Sequence, residues 1–264
     1  MSFFTVDRVS AAYGKTSVLR EISFSVDCGR VVGVLGANGS GKTTLLKAIG
    51  GILPHEGTCC LENTELEKLT SRQLAKLVSY IPQRSGISID ISALDVVLMG
   101  FNPHLKLLEH PSKAMVDAAV AALAEAGLSG CENKSYLQLS EGQKQLCILA
   151  RTMVSGSRLL LLDEPESALD FNHRYKMLEK IRHWVEKANG SAIITLHDPG
   201  LALNYCDELV LLKDGQAPDI LKPKENSLEE MGERLSLIYG PVSLQWCENR
   251  SGRKFLTMLK EADG

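Results

Sequence analysis

Short apolar runs alternate along this chain with stretches of helical period. Residues 31–35 are rich in β-branched side chains and are followed at once by Gly36, which predicts a buried strand. Residues 77–81 form a second candidate. Residues 159–162 are leucine at every position, as expected of a central parallel strand covered on both faces, and 192–196 repeat the theme. Residues 3–26 read as hairpin-forming strands with Tyr13-Gly14 at a turn. Between about 85 and 158 the texture becomes helical. Ser112 can cap a segment whose apolar stripe is Met115, Val116, Ala119, Val120 and Leu123, with Gly127 placed to end it. Ser140 can cap the next helix, with Gln143 at the capping-box position. After about 216 the chain is more polar, and 242–247 can pair with 254–258 around Asn249-Arg250-Ser251-Gly252. Strands alternating with helices predict an α/β fold, a mostly parallel sheet carrying helices and an inserted helical lobe.

Composition adds limits. The chain has 264 residues, 44% hydrophobic and 23% charged, enough to build a core without disulfides. A net charge of −3 gives no support for a nucleic-acid partner, which would favour a basic balance. The seven cysteines form no C-x-x-C pair, and their spacing suggests neither a zinc site nor a disulfide framework. Reduced, mostly buried thiols of a cytosolic protein are expected. The N-terminus has no basic segment leading into an apolar run, so no signal peptide is expected. No stretch approaches the roughly 20 apolar residues that cross a bilayer as a helix. A membrane span, if one is needed, would come from another chain.

The chemistry begins where the first parallel strand ends. Gly36-Ala37-Asn38-Gly39-Ser40-Gly41-Lys42-Thr43 fits G-x-x-x-x-G-K-[ST]. Glycines let backbone N–H groups close around phosphate oxygens, Lys42 reaches the terminal phosphates, and Thr43 offers a hydroxyl to Mg²⁺. A random chain of this length shows the pattern about 1% of the time, and here it also follows a strand and opens a helix. Other candidate groups sit at strand ends, where open α/β sheets bind ligands. Asp163 and Glu164 follow one strand, His197 another, and Gln83 a third. Each taken singly also reads as a loop cap, a structural histidine or a surface amide. At successive strand ends they read as a Mg²⁺-orienting carboxylate, a second carboxylate, an imidazole and an amide.

In this order the residues resemble the motifs of the ABC ATPase family. Leu139-Ser140-Glu141-Gly142-Gln143 resembles the family signature, and residues 159–165 its Walker B strand. Ser167-Ala168-Leu169-Asp170 looks like the D-loop, Thr195-Leu196-His197-Asp198 the switch histidine, and Tyr80-Ile81-Pro82-Gln83 the Q-loop. Tyr13 stands where the family stacks an aromatic ring on adenine. The resemblance runs from about residue 3 to 215. It implies one ABC ATPase domain over 1–264, with 1–85 and 159–215 as nucleotide-binding core, 86–158 as helical signature lobe and 216–264 as C-terminal extension. It implies ATP and Mg²⁺, with Gly36 through Thr44 on the phosphates and Thr43, Gln83 and Asp163 on the metal. Glu164 would be the general base and His197 would contact the γ-phosphate. Ser140, Gly142, Gln143 and Asp170 would face the nucleotide of a second copy, giving a sandwich homodimer. Glu141 replaces the usual glycine, and its carboxylate is expected to point away from that phosphate.

Within the family, Val97-Leu98-Met99-Gly100-Phe101-Asn102-Pro103-His104 resembles the V-L-M-G-R-x-P-H segment of ATPases serving iron–siderophore, haem and cobalamin importers. The tail around Leu237-Ile238-Tyr239-Gly240 is similar to theirs. Phe101 and Glu166 replace the usual arginine and threonine. The resemblance implies a peripheral subunit at the cytoplasmic face of the membrane. Two permease subunits would dock near 83–99, and a substrate-binding protein would take part indirectly. A soluble ABC ATPase, in cofactor assembly or on nucleic acid, would share every catalytic motif but lack the segment near Met99. A P-loop small-molecule kinase would share only residues 36–43.

Overall fold

The computed structural model describes residues 2–83, 86–167 and 169–261, with the backbone alone at Pro218. The chain divides into two compact units, one built from residues up to 68 and from 191 onward, the other from 69–190. Ala168 of the D-loop motif, and Arg84 and Ser85 of the expected permease-docking stretch, lie outside the described residues.

The first unit opens with β1 (Phe4–Tyr13) and β2 (Thr16–Val26), an antiparallel pair turning at Gly14. There follow β3 (Val31–Leu35), α1 (Lys42–Ile49), β4 (His55–Leu61) and the short β5 (Thr64–Glu65). β1 also pairs antiparallel with β4, and β4 with β5, so one sheet runs β2-β1-β4-β5. The buried Phe4, Val6 and Val9 of β1 meet Ile22, Phe24 and Val26 of β2, which gives this sheet its apolar face.

The second unit holds α2 (Ser71–Leu77), β6 (Val78–Ile81), α3 (Ala93–Leu98), α4 (Lys113–Ala126), α5 (Glu141–Met153), β7 (Leu159–Asp163) and α6 (Phe171–Ala188). β6 and β7 are parallel, and every residue of β7 is buried. α3, α4 and α5 pack on one another. Their starts are set by side-chain caps: Ser92 with Asp95, Ser112 accepting from the Met115 N–H, and Ser140 with Gln143. Gly127 ends α4 in the left-handed conformation. The buried face of α4 is rotated from the expected stripe. Ala119 and Leu123 are buried, but Val120 is exposed and Ala122 and Ala126 take the inner positions. Small alanine side chains allow the close approach of neighbouring helices that valine would hinder.

The chain then returns to the first unit with β8 (Ser191–Thr195), α7 (Pro199–Tyr205), β9 (Glu208–Lys213), β10 (Gln216–Leu221), α8 (Leu228–Tyr239), β11 (Val242–Glu248) and β12 (Lys254–Lys260). β3 lies between β8 and β9 and is parallel to both, while β10 is antiparallel to β9. Ser227 and Glu230 close a capping box on α8, so the polar tail holds a helix before its hairpin. Cys59, Cys131, Cys147 and Cys206 are buried, Cys28 and Cys247 exposed, and all are free thiols. Burial pushes the Cys147 thiol up to about 12. Among the described residues no helix is long and apolar enough to cross a membrane.

Asn204 ties the terminal hairpin to α7. Its Nδ2 donates to the Leu256 carbonyl at 2.9 Å, and its Oδ1 accepts from the Leu256 N–H at 2.9 Å. A side-chain amide thus takes the place of a neighbouring strand for one residue of β12. Asn204→Ala should cost about 1–3 kcal/mol, because it strands a backbone donor and acceptor together. A thermal melt of the variant should show it as a fall of roughly 2–4 °C per kcal/mol, and an unchanged melting temperature would refute this account of the hairpin.

Candidate nucleotide site

The first unit presents the glycine-rich loop between β3 and α1. β3 is buried at all positions, so the chain leaves the sheet rigidly held and turns at Gly36. A Cβ on Gly36 would fall 2.4 Å from the Leu212 carbonyl oxygen and 2.5 Å from Ser40 Oγ, so only glycine fits there. Gly39 and Gly41 have φ of +80° and +105°, left-handed conformations that favour glycine at both positions. α1 begins at Lys42, and its N-cap residue Gly41 makes no side-chain hydrogen bond to the first turn. Ser40 Oγ is buried and has no hydrogen-bond partner among the described residues. The Lys42 ammonium, itself buried, donates to the Gly36 carbonyl at 2.9 Å and the Ala37 carbonyl at 3.2 Å. A buried ammonium beside a glycine-rich turn at a helix start fits a polyphosphate.

His197 follows from strand register. β3 and β8 are parallel with Val34 opposite Thr195, so Gly36 and His197 leave adjacent strand ends by the same two-residue step. His197 is exposed, and the next residue, Asp198, caps α7 by accepting from the Gly200 N–H at 2.8 Å. Tyr13, the last residue of β1, is 48% exposed, so its ring face is open to a stacking partner.

The second unit gathers the carboxylates and the amide. β6 and β7 pair as far as Ile81 opposite Leu162, and Gln83 and Glu164 each lie two residues beyond that pair. Gln83 Nε2 donates to Glu164 Oε2 at 2.6 Å. The Gln83 carbonyl accepts from Gln145 Nε2 of α5 at 2.8 Å, which anchors the backbone beyond β6. Tyr80 Oη donates to Asp163 Oδ2 at 3.1 Å. Asp163 and Glu164 are 3% and 8% exposed, so both carboxyl groups are held rather than solvated. Glu164 has φ +49°, a left-handed conformation that costs a non-glycine residue roughly 1–3 kcal/mol and concentrates at functional sites. Tyr80 and Gln145 were not singled out by sequence as positioning groups. Tyr80 belongs to the Q-loop motif and Gln145 to none, and the part each plays depends on which strand or helix lies alongside.

The signature segment opens α5. Ser140 Oγ accepts from the Gln143 N–H at 3.2 Å, and Gln143 Oε1 accepts from the Ser140 N–H at 3.1 Å. The Ser140 hydroxyl proton is left to donate outward. A Cβ on Gly142 would lie 3.1 Å from Leu169 Cδ2. Glu141 is turned along the helix onto Lys144 Nζ at 2.7 Å. Asp170 caps α6 and accepts from both the His173 N–H at 2.9 Å and His173 Nδ1 at 2.8 Å, which holds its carboxyl below the usual carboxylate range.

Residues 19–167 match the family model described as ABC transporter, and the chain belongs to that family. It carries an ABC ATPase domain, which binds and hydrolyses ATP. The chain is 37% identical over 250 residues to the probable iron chelatin transport ATP-binding protein of Helicobacter pylori strain J99, spanning 93% of this chain and 96% of that protein. It is 36% identical over 219 residues to the hemin import ATP-binding protein HmuV of Rhizobium leguminosarum, spanning 80% and 81%. In fold it resembles an inward-facing ABC transporter assigned to the metal-chelate type (TM-score 0.85, 24% identity, 100% and 99% of the two chains). It also resembles the dimeric ATP-binding cassette MJ0796 in a post-hydrolysis state with ADP and Pi (TM-score 0.74, 24% identity, 83% and 98%).

Proposed function

We propose that this chain is the motor subunit of an importer for an iron chelate, haem or cobalamin, held at the cytoplasmic face of the cell membrane by its permease. The observation that carries the reading is the 37% identity to an iron chelatin transport ATP-binding protein, because it extends over 93% of the chain and so includes the terminal segments as well as the motifs. In this reading the single ATPase domain has its core in 1–85 and 159–215, its helical lobe in 86–158 and its extension in 216–264.

The residues divide the work by chemical type. Gly36 to Thr44 direct backbone N–H groups at the phosphates, and Lys42 leaves the Gly36 and Ala37 carbonyls for the phosphate oxygens. Thr43, Asp163 and Gln83 offer hard oxygen ligands suited to Mg²⁺, which when bound neutralises phosphate charge and orients the oxygens. Glu164 accepts the proton of the attacking water, with Gln83 Nε2 fixing the orientation of its carboxylate. His197 contacts the γ-phosphate and Tyr13 stacks on adenine. Ser140, Gly142, Gln143 and Asp170 act on the nucleotide of a second copy, so that two copies enclose two ATP molecules.

Two permease subunits dock near residues 83–99. A cleft of about 330 Å³ lined by Ala75, Val78, Tyr80, Met99, Asn102 and Arg151 supports this, since it adjoins that stretch at Met99 and its lining is both apolar and polar. A substrate-binding protein takes part only through the permease. The test is to tag the chain in its native cell, solubilise the membranes gently and identify what copurifies. A polytopic permease at one copy per copy of this chain is the expected result. Recovery from the soluble fraction alone would replace the importer reading with a soluble ABC ATPase.

A further inference from the structure

Apart from the nucleotide motifs, His55, Cys59 and Glu67 bring three metal-ligating side chains together. His55 and Cys59 lie four residues apart on β4, and the period of two puts both on one face. Glu67 comes back over that face from a short 3-10 turn at Leu66–Lys68 that follows β5. His55 Nε2 is 3.1 Å from Glu67 Oε1 and 3.9 Å from Cys59 Sγ, and the three ligand atoms all lie within 4.8 Å of one another. Zinc bond lengths of about 2.0–2.3 Å at tetrahedral angles put nitrogen–oxygen and nitrogen–sulfur edges at about 3.4 and 3.6 Å. The observed spacings straddle these values.

A second observation concerns protons. His55 Nδ1 faces the Leu53 carbonyl at 3.4 Å, an acceptor that calls for the proton on Nδ1. In that tautomer Nε2 turns its lone pair toward Glu67 Oε1 and Cys59 Sγ, the arrangement in which a metal ion between the three atoms would be held. A divalent ion would replace the Cys59 thiol proton, which leaves to solvent, and thiolate plus carboxylate would then neutralise its two charges. His55 also lines a pocket of about 410 Å³ with Ser10, Ala12, Ser17, Leu19 and Pro54.

We infer that His55, Cys59 and Glu67 form a binding site for a divalent transition metal of the zinc type, with three protein ligands and one open position. The mixed imidazole, thiolate and carboxylate set suits such an ion better than Mg²⁺ or Ca²⁺. The site does not depend on the importer reading, and its test does not use transport.

The test is to strip the untagged full-length chain of metal with a chelator and titrate it with Co²⁺ in buffer free of nucleotide and Mg²⁺. The expected result is thiolate-to-cobalt charge-transfer absorption saturating at one ion per chain and bleached by Zn²⁺. Cys59→Ala should abolish the band, and Glu67→Gln should weaken binding by roughly 10–100-fold or more. Glu67 is partly exposed, so the second variant stays informative if loss of the buried thiol prevents folding. The double variant Cys28→Ser and Cys247→Ser, which removes the exposed thiols, should keep the band. Zn²⁺ should raise the melting temperature of the native chain and not that of Glu67→Gln. The inference is overturned by absence of the band, by its survival in Cys59→Ala, by its loss with the exposed thiols, or by full-affinity binding in Glu67→Gln. Any of these leaves the trio a hydrogen-bonded histidine–carboxylate pair beside a thiol.

Discussion

Glu164→Gln should leave ATP binding intact and lower ATP turnover by about 10²–10⁴-fold, the usual contribution of a positioned general base. The substitution preserves shape and the ability to accept from Gln83 Nε2, now through an amide oxygen, so the bond found at 2.6 Å can persist. What it removes is the group that takes the water proton. The residue sits in a left-handed conformation directly beyond a fully buried strand, so its side chain is aimed by the backbone and has little room to adapt. Phosphate release measured beside the ATP-induced rise in melting temperature separates the two effects. Turnover near that of the native chain would remove Glu164 from its assigned role and direct attention to His197.

Lys42→Ala should abolish the ATP-induced rise in melting temperature and bring hydrolysis to background. A ligand at 100 times its dissociation constant stabilises the folded state by about 2.7 kcal/mol, which makes the missing increment easy to read. The increment is measured against each variant's own ATP-free melt, so the loss of the contacts to Gly36 and Ala37 does not enter. The ammonium is 5% exposed beside loop carbonyls, and a bound polyphosphate would offer it a charge-assisted bond in their place. An increment equal to that of the native chain would show that the loop amides bind phosphate without it. Together the two variants separate holding the nucleotide from cutting it.

Much of this molecule could be read before any coordinates. The strands at 31–35 and 159–162 announce themselves by apolar runs, and the caps at Ser112 and Ser140 by residue type at fixed offsets. The phosphate loop is a local object, for its glycine spacing and its helix-starting lysine are adjacent in the chain. Such features depend on interactions among neighbours, and short-range patterns carry them completely. The α8 capping box, Ser227 with Glu230, was as legible as the others but lay in a tail dominated by polar composition.

The amino-acid order alone determined the parallel-strand pattern, the phosphate loop, the signature helix start and the set of groups at strand ends. Tertiary structure alone decided which of those groups meet. Gln83 reaches Glu164 because β6 lies beside β7 in one register, and a shift of one residue would turn each side chain to the other face. Glu141 is a carboxylate in a signature motif by sequence, and only the helix geometry turns it onto Lys144. His55, Cys59 and Glu67 match no metal motif, since their juxtaposition needs the strand face and the returning turn at once. Side-chain type and spacing are properties of a local stretch of chain. Strand order and the closure of turns are set by burial of surfaces far apart in sequence, and no local pattern records them.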